Sequence, residues 1–291
     1  MTKARHPSLI INFTPTGMVP TKQMTPHVPV SPAEIVEQVH EAYEIGITLA
    51  HLHARHDDGS PAHGKSIYAQ IFDGVRRHCP DLVICASTSG RSTPEFEKRS
   101  EVLELSPDMA SLTMSSLNFA REASMNTPDM ILRLANKMAQ FGVIPELECF
   151  DGGMINAVKH HIGKGTFKPP FYFNLLVGNL ATAQDDLLQV GLLINALPSG
   201  AFWSLAGIGS SQLRANTLAI LDGGGVRVGL EDNYWHDADR TQLATNSSLL
   251  RRVHELAAVF ERPIMTPAVF GGLGFYNQLR VREREQVQSA P

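Results

Sequence analysis

Ile45-Gly46-Ile47-Thr48-Leu49-Ala50-His51-Leu52-His53-Ala54-Arg55 passes from an apolar run into two histidines and an arginine, and then into the polar loop His56-Asp57-Asp58-Gly59. Read as a β-strand, the segment alternates faces, so His51 and His53 point one way while Leu52 and Ala54 point the other. At roughly 3.3 Å rise per residue the two Cβ atoms lie about 6–7 Å apart, close enough for both rings to reach one divalent metal. Two imidazoles and one remote carboxylate leave a coordination position open for substrate, the mark of a catalytic site. The chain holds 12 histidines, so an isolated His-x-His would carry little weight; its neighbours decide.

Upstream, residues 9–14 read as a short buried strand, and a Pro-, Gly- and Thr-rich loop runs to about Val30. A loop of that length is usually functional, which makes 16–29 a candidate substrate lid. Ser31-Pro32-Ala33-Glu34 is a helix start, with Ser as N-cap, Pro in the first turn and Glu three residues on, and Gly46 ends that helix. Downstream the alternation repeats. Helices over 66–78, 94–103, 128–140, 154–161, 184–196 and 212–221 precede strands over 82–88, 110–114, 143–150, 171–177, 202–206 and 226–232, and a last helix covers about 242–260. About eight strands, each followed by a helix, predict an α/β chain folded as a (β/α)8 TIM barrel. A doubly wound open sheet is the alternative, but no strand runs into Gly-x-Gly-x-x-Gly. The barrel is expected to be one catalytic domain over 1–262. Residues 263–291, with Gly271-Gly272-Leu273-Gly274 and a charged tail from Arg280, read as a C-terminal extension on the surface or between subunits, the stretch 268–275 suiting a subunit contact.

With 291 residues, 43% of them hydrophobic and 19% charged, the chain is globular. A net charge of −4 provides no basic face for nucleic acid. Cys79, Cys85 and Cys149 lack C-x-x-C spacing, which argues against a disulfide framework or a thiolate zinc site and for a reducing compartment. With no signal peptide and no apolar stretch of membrane-spanning length, a cytoplasmic location is expected.

Catalytic side chains of a barrel collect at the C-terminal ends of its strands. That rule selects His51 and His53 on the second strand, Ser87 on the third, Ser111 and Thr113 on the fourth, Glu146 and Glu148 on the fifth, and Glu231 and Asp232 at the end of the eighth. Strands eight and two flank strand one, so Glu231 can meet the two imidazoles. Arg227 and Glu231 share the inner face, where charges must be paired, metal-bound or wet. Asp232, of opposite parity, falls where the chain bends into a loop and suits proton transfer. Two carboxylates at Glu146 and Glu148 raise each other's pKa unless a cation intervenes, so one is expected to hold Arg227 or a water. Gly207-Ile208-Gly209-Ser210 is a turn able to cradle a phosphate, although a plain tight turn reads as well.

Together, His51-Leu52-His53-Ala54-Arg55-His56-Asp57-Asp58-Gly59, Ser87-Thr88-Ser89-Gly90, Ser116-Leu117-Asn118-Phe119, Pro145-Glu146-Leu147-Glu148, Ala206-Gly207-Ile208-Gly209 and Arg227-Val228-Gly229-Leu230-Glu231-Asp232-Asn233 resemble the β-keto acid cleavage enzymes over residues 9–267. The resemblance implies a TIM barrel with Zn2+ held by His51, His53 and Glu231, and a β-keto acid that reacts with acetyl-CoA to give acetoacetate and the CoA ester of the remaining acyl group. It places catalytic positions on Ser87, Glu148, Arg227 and Asp232, puts Ser111 where the family pattern has Thr, and implies a homo-oligomer, a tetramer foremost. Gly17-Met18-Val19 departs from members with Glu two residues after the Gly, which disfavours an aminated keto acid. Lys22, in the same loop, could meet a second substrate carboxylate but reads first as an exposed lid lysine. A metal-dependent aldolase without a CoA acceptor and an inactive metal-binding sensor are the competing functions.

Overall fold

The computed structural model describes residues 7–91, 93–279 and 281. Among them, eight parallel strands close into a barrel: β1 (Ile11–Phe13), β2 (Leu49–Leu52), β3 (Val83–Ala86), β4 (Met109–Thr113), β5 (Ile144–Cys149), β6 (Tyr172–Val177), β7 (Phe202–Gly207) and β8 (Gly225–Val228), each paired with the next and β1 paired with both β2 and β8. The expected TIM barrel is therefore the fold. Outside it lie α1 (Pro32–Ile45), α2 (Lys65–His78), α3 (Phe96–Ser100), α4 (Pro128–Gln140), α5 (Gly152–Gly163), α6 (Leu187–Ala196), α7 (Ser211–Asp222) and α8 (Asn246–Val259). Ser31 caps α1 through the expected capping box with Glu34, and Gly46 closes the helix. The helix expected over 94–103 is shorter: α3 passes at Glu101 into a 3-10 turn that ends at Leu105.

Alternation along the strands builds the lumen in layers. Outward residues such as Ala50, Leu52, Ile84, Leu112, Leu147 and Leu175 pack under the helices in the main core. Inward, at the N-terminal ends, Ile10, Leu49, Val83, Met109 and Tyr172 form a separate apolar cluster. One turn of the pleat higher the lumen is polar, with Asn12, His51, Cys85, Glu146 and Asn174 all buried. Higher still are His53, Ser87, Thr113, Glu148 and Arg227.

The floor under the apolar cluster is made by the segment that follows α8. Helix α9 (Pro267–Phe270) and a π turn over Gly271–Phe275 carry Phe270 and Phe275 into the barrel, both fully buried. Their rings stack at 4.2 Å, with Tyr172 and Phe202 edge-on to them. Within residues 268–275, Phe270 and Phe275 thus form an internal stopper, whereas Val269 and Leu273 stay exposed on the outside, where the expected surface or intersubunit role would fall. The charged tail beyond Val281 lies outside the described residues. The stopper is tied to the first strand's approach, with Leu9 N–H donating to Pro263 O (2.7 Å) and Met265 N–H to Leu9 O (2.8 Å). Buried Arg262 donates to carbonyls on both sides of that seam, among them Pro7 O (3.0 Å) and Gly224 O (2.7 Å).

Candidate active site

At the opposite end, the loops enclose a cavity of about 550 Å3 lined by His51, His53, Ser87, Ser111, Thr113, Glu148, Arg227, Glu231 and Asp232, among others. His51 lies within β2 and His53 just beyond it, on the same face. Strand β8 ends at Val228 rather than running to 232, so Glu231 lies in the turn after it, beside Asp232, which is expected at such a bend. The cause is steric: at Gly229 a Cβ would collide with the Thr14 carbonyl, so the chain passes hard against β1 and leaves the sheet. Gly17, at φ +62°, does the same for the first loop, where a side chain would strike Glu231. Arg55 holds that loop in place, donating to Gly17 O (2.8 Å), Pro20 O (3.0 Å) and Gly59 O (2.7 Å). Met18, Val19 and Pro20 consequently form part of the cavity wall, whereas Lys22 faces away and pairs with Glu34 at 2.8 Å.

Three electron-rich atoms converge at the floor of the cavity. His51 Nε2 and His53 Nε2 are 3.2 Å apart, and His53 Nε2 is 3.2 Å from Glu231 Oε1. His51 Nδ1 contacts Glu146 Oε2 at 2.6 Å, which places its proton on Nδ1 and a lone pair on Nε2. Among the described residues Glu231 Oε2 is buried without a hydrogen-bond partner. Two imidazole nitrogens and the Glu231 carboxylate, with Oε1 at this separation and Oε2 unpartnered, fit one divalent cation, and the set matches a two-His, one-carboxylate donor group. Glu146 itself is gripped from three sides, by Asn12 Nδ2 (2.6 Å), Asn174 Nδ2 (3.3 Å) and the Cys85 thiol (3.3 Å).

Beside the donor atoms, Arg227 gathers three carboxylates. Its Nε donates to Asp232 Oδ2 (2.9 Å), its Nη2 to Glu231 Oε1 (2.7 Å), and Nη1 lies 3.6 Å from Glu148 Oε1. Thr113 Oγ1 donates to Glu148 Oε2 at 2.6 Å. Of the two carboxylates on β5, Glu148 therefore takes the arginine and Glu146, one layer lower, takes the histidine. The electrostatics separate neighbouring acids. Burial raises the Asp232 carboxyl pKa and Arg227 only partly offsets it, whereas at Glu231 burial is outweighed by Arg227, His53 and His51 and the pKa falls well below the usual carboxylate range. Burial and the neighbouring Glu146 raise Glu148.

The sequence model of the β-keto acid cleavage enzymes matches residues 8–270. The chain belongs to this family. It is 35% identical to the 3-keto-5-aminohexanoate cleavage enzyme of Acetoanaerobium sticklandii over 89% of this chain and 95% of that protein. Identity is also 35% to the 3-oxoadipate:acetyl-CoA acetyltransferase of Cupriavidus necator, over 89% of this chain and 92% of that one. The apo structure of ObcA shares the fold, with a TM-score of 0.74 at 19% identity over 87% of this chain and 66% of the longer ObcA chain.

In this β-keto acid cleavage enzyme the hydroxyls of Ser87 and Ser111 reach the cavity wall, and Ser111 Oγ also accepts from Thr88 N–H at 3.1 Å. The turn at Gly207, Gly209 and Ser210 lies at the rim, where Gly209 N–H donates to the Asp232 carbonyl at 2.7 Å and Ile208 N–H to Val177 O at 3.0 Å. Those two amides are committed to the protein, and Gly207 is a close-approach position, since a Cβ there would meet the Ser211 carbonyl. Sequence reasoning did not find the support beneath His51. Strand parity put Glu146 on the correct face, but nothing in the pattern gave its depth, and Asn12, Cys85 and Asn174 lie on three other strands.

Proposed function

We propose that this enzyme transfers acyl groups between a β-keto acid and acetyl-CoA, releasing acetoacetate and the CoA ester of the remaining acyl group, with Zn2+ held by His51, His53 and Glu231. The carrying observation is the convergence of those three donors beside the Arg227–Asp232 pair, in a chain of this family. A divalent cation there supplies Lewis acidity toward the keto and carboxylate oxygens of the substrate. Asp232, oriented by Arg227 and Thr14, takes the C2 proton of the keto acid. C2 then bonds to the acetyl carbonyl carbon as the thioester C–S bond breaks. The CoA thiolate adds to the original keto carbon, the C2–C3 bond breaks, and Asp232 returns its proton to C2. Among the described residues Arg227 Nη1 is buried without a hydrogen-bond partner and faces Glu148 Oε1 at 3.6 Å, so the guanidinium ties Glu148 to the Asp232 side of the site. Ser87 and Ser111 offer hydroxyls to developing negative charge on oxygen, and Thr113 fixes Glu148 on the far side of Arg227.

Gly207, Gly209 and Ser210 are read as the contact for the CoA arm, a reading supported by their turn before α7 next to cavity-lining Ile208. Val19 on the wall, rather than a carboxylate, leaves an amine-bearing keto acid without a counter-charge in the first loop. Leu187, Leu188 and Leu192, all more than half exposed on α6, support a homo-oligomer, and three free buried cysteines suit the reducing cytoplasm. Incubation of a β-keto acid with acetyl-CoA carrying 13C in its acetyl group tests the reaction: label is expected in the methyl-ketone half of acetoacetate, with no cleavage when the thioester is omitted. Cleavage without CoA would make the protein a lyase instead.

A further inference from the structure

The cavity has a second cation, Arg91, that the chemistry above does not use. Among the described residues, the charged side chains of the lining besides the histidines are Arg91, Arg227, Glu148, Glu231 and Asp232, and all three carboxylates contact or neighbour Arg227. Arg91 is thus the one lining cation with no lining carboxylate beside it. Its position is built rather than loose. The guanidinium lies over the Phe119 ring at 3.9 Å, Phe119 is edge-on to buried Phe150 at 5.8 Å, and Arg91 Nε donates to Glu122 Oε1 at 2.6 Å. Glu122 is about half exposed and does not line the cavity. It engages the Nε edge alone, so among the described residues Nη1 and Nη2 have no hydrogen-bond partner.

We propose that Arg91 is an oxyanion subsite on the cavity's outer wall, binding a carboxylate or phosphate at the end of a reactant remote from the scissile bond. The inference rests on the reading of the site given above. A guanidinium whose plane is set by stacking and whose two terminal nitrogens are free presents the fork that pairs bidentately with a carboxylate or a phosphate. Leu117, Phe119 and Ala120 nearby provide apolar contact for the methylenes leading to such a group. Two sources carry that chemistry: the distal carboxylate of a β-keto diacid, and the phosphates of CoA.

The test compares the wild type with Arg91→Met, which keeps an unbranched apolar stem but removes the charge and the fork, and with Arg91→Lys, which keeps the charge but not the fork. Substrates are 3-oxoadipate against 3-oxohexanoate, and acetyl-CoA against acetylpantetheine, with kcat/KM for each and calorimetric binding of each alone to the metal-loaded protein. If the subsite takes the keto acid's far carboxylate, Arg91→Met lowers the 3-oxoadipate to 3-oxohexanoate preference about 10–100-fold, and Arg91→Lys restores part of it. If it takes phosphate, the same loss falls on the acetyl-CoA to acetylpantetheine preference. Retention of both preferences in Arg91→Met, or a wild type that binds none of these anions, overturns the subsite. A wild type that turns over none of the pairs, yet whose binding preference disappears in Arg91→Met, keeps the subsite and removes the transferase reading.

Discussion

The two ends of the lumen are made from the same strands, two residues apart, and they do opposite things. On β2, Leu49 faces the stacked phenylalanines while His51 and His53 face the cavity; on β4, Met109 lies below Ser111 and Thr113; on β5, Ile144 lies below Glu146 and Glu148. The lower end contributes burial and needs no polar partner. The upper end concentrates charge, and it retains groups such as Arg227 Nη1 and Glu231 Oε2 that, among the described residues, remain without a hydrogen-bond partner. Stability and chemistry are therefore separated along the barrel axis, with the polar layer around Glu146 as the border.

That separation can be attacked from either end. The largest effect is expected at the top: His53→Ala should lose bound metal and turnover together, while thermal unfolding of the metal-free protein changes little. Metal content equal to that of the wild type would remove His53 from the donor set. At the bottom, Phe270→Ala empties the stopper and should cost about 3–5 kcal/mol. That corresponds to a fall of roughly 10 °C in the melting temperature, with kcat at 25 °C near the wild-type value. A large loss of kcat in folded protein would show the two ends to be coupled. The border residue should behave as neither end: Glu146→Gln leaves His51 present but unfixed, so metal affinity should fall about 10–100-fold, read by competition with a chelating dye. Unchanged affinity would show that the Glu146 contact does not orient the ring.

Much of this was legible before the structure. Period-two alternation ending in polar residues located the strands and the faces of His51, Arg227 and Glu148, and the strand count put β8, β1 and β2 side by side. Two kinds of information were not. Depth along the barrel axis depends on the stagger between strands, which is why Glu146 and Glu148 read as equivalent although one holds a histidine and the other an arginine. Close backbone approach depends on the neighbouring strand, so the departure of Glu231 from the sheet at Gly229 was hidden in an otherwise regular pattern, and only Asp232 read as lying at the bend. The stopper was hidden for a related reason: an apolar stretch says that it must be covered, not by what, and nothing in 268–275 distinguishes inward Phe270 and Phe275 from exposed Val269 and Leu273.

The stopper also orders events in time. Residues 264–275 are translated after all eight strands, yet they pair with Leu9 and fill the space beneath Tyr172. A growing polypeptide that already contains the entire ring must therefore wait, its underside wet and adhesive, until this plug emerges from the ribosome. Maturation is completed from below, by a segment at the end of the lumen away from the donor set.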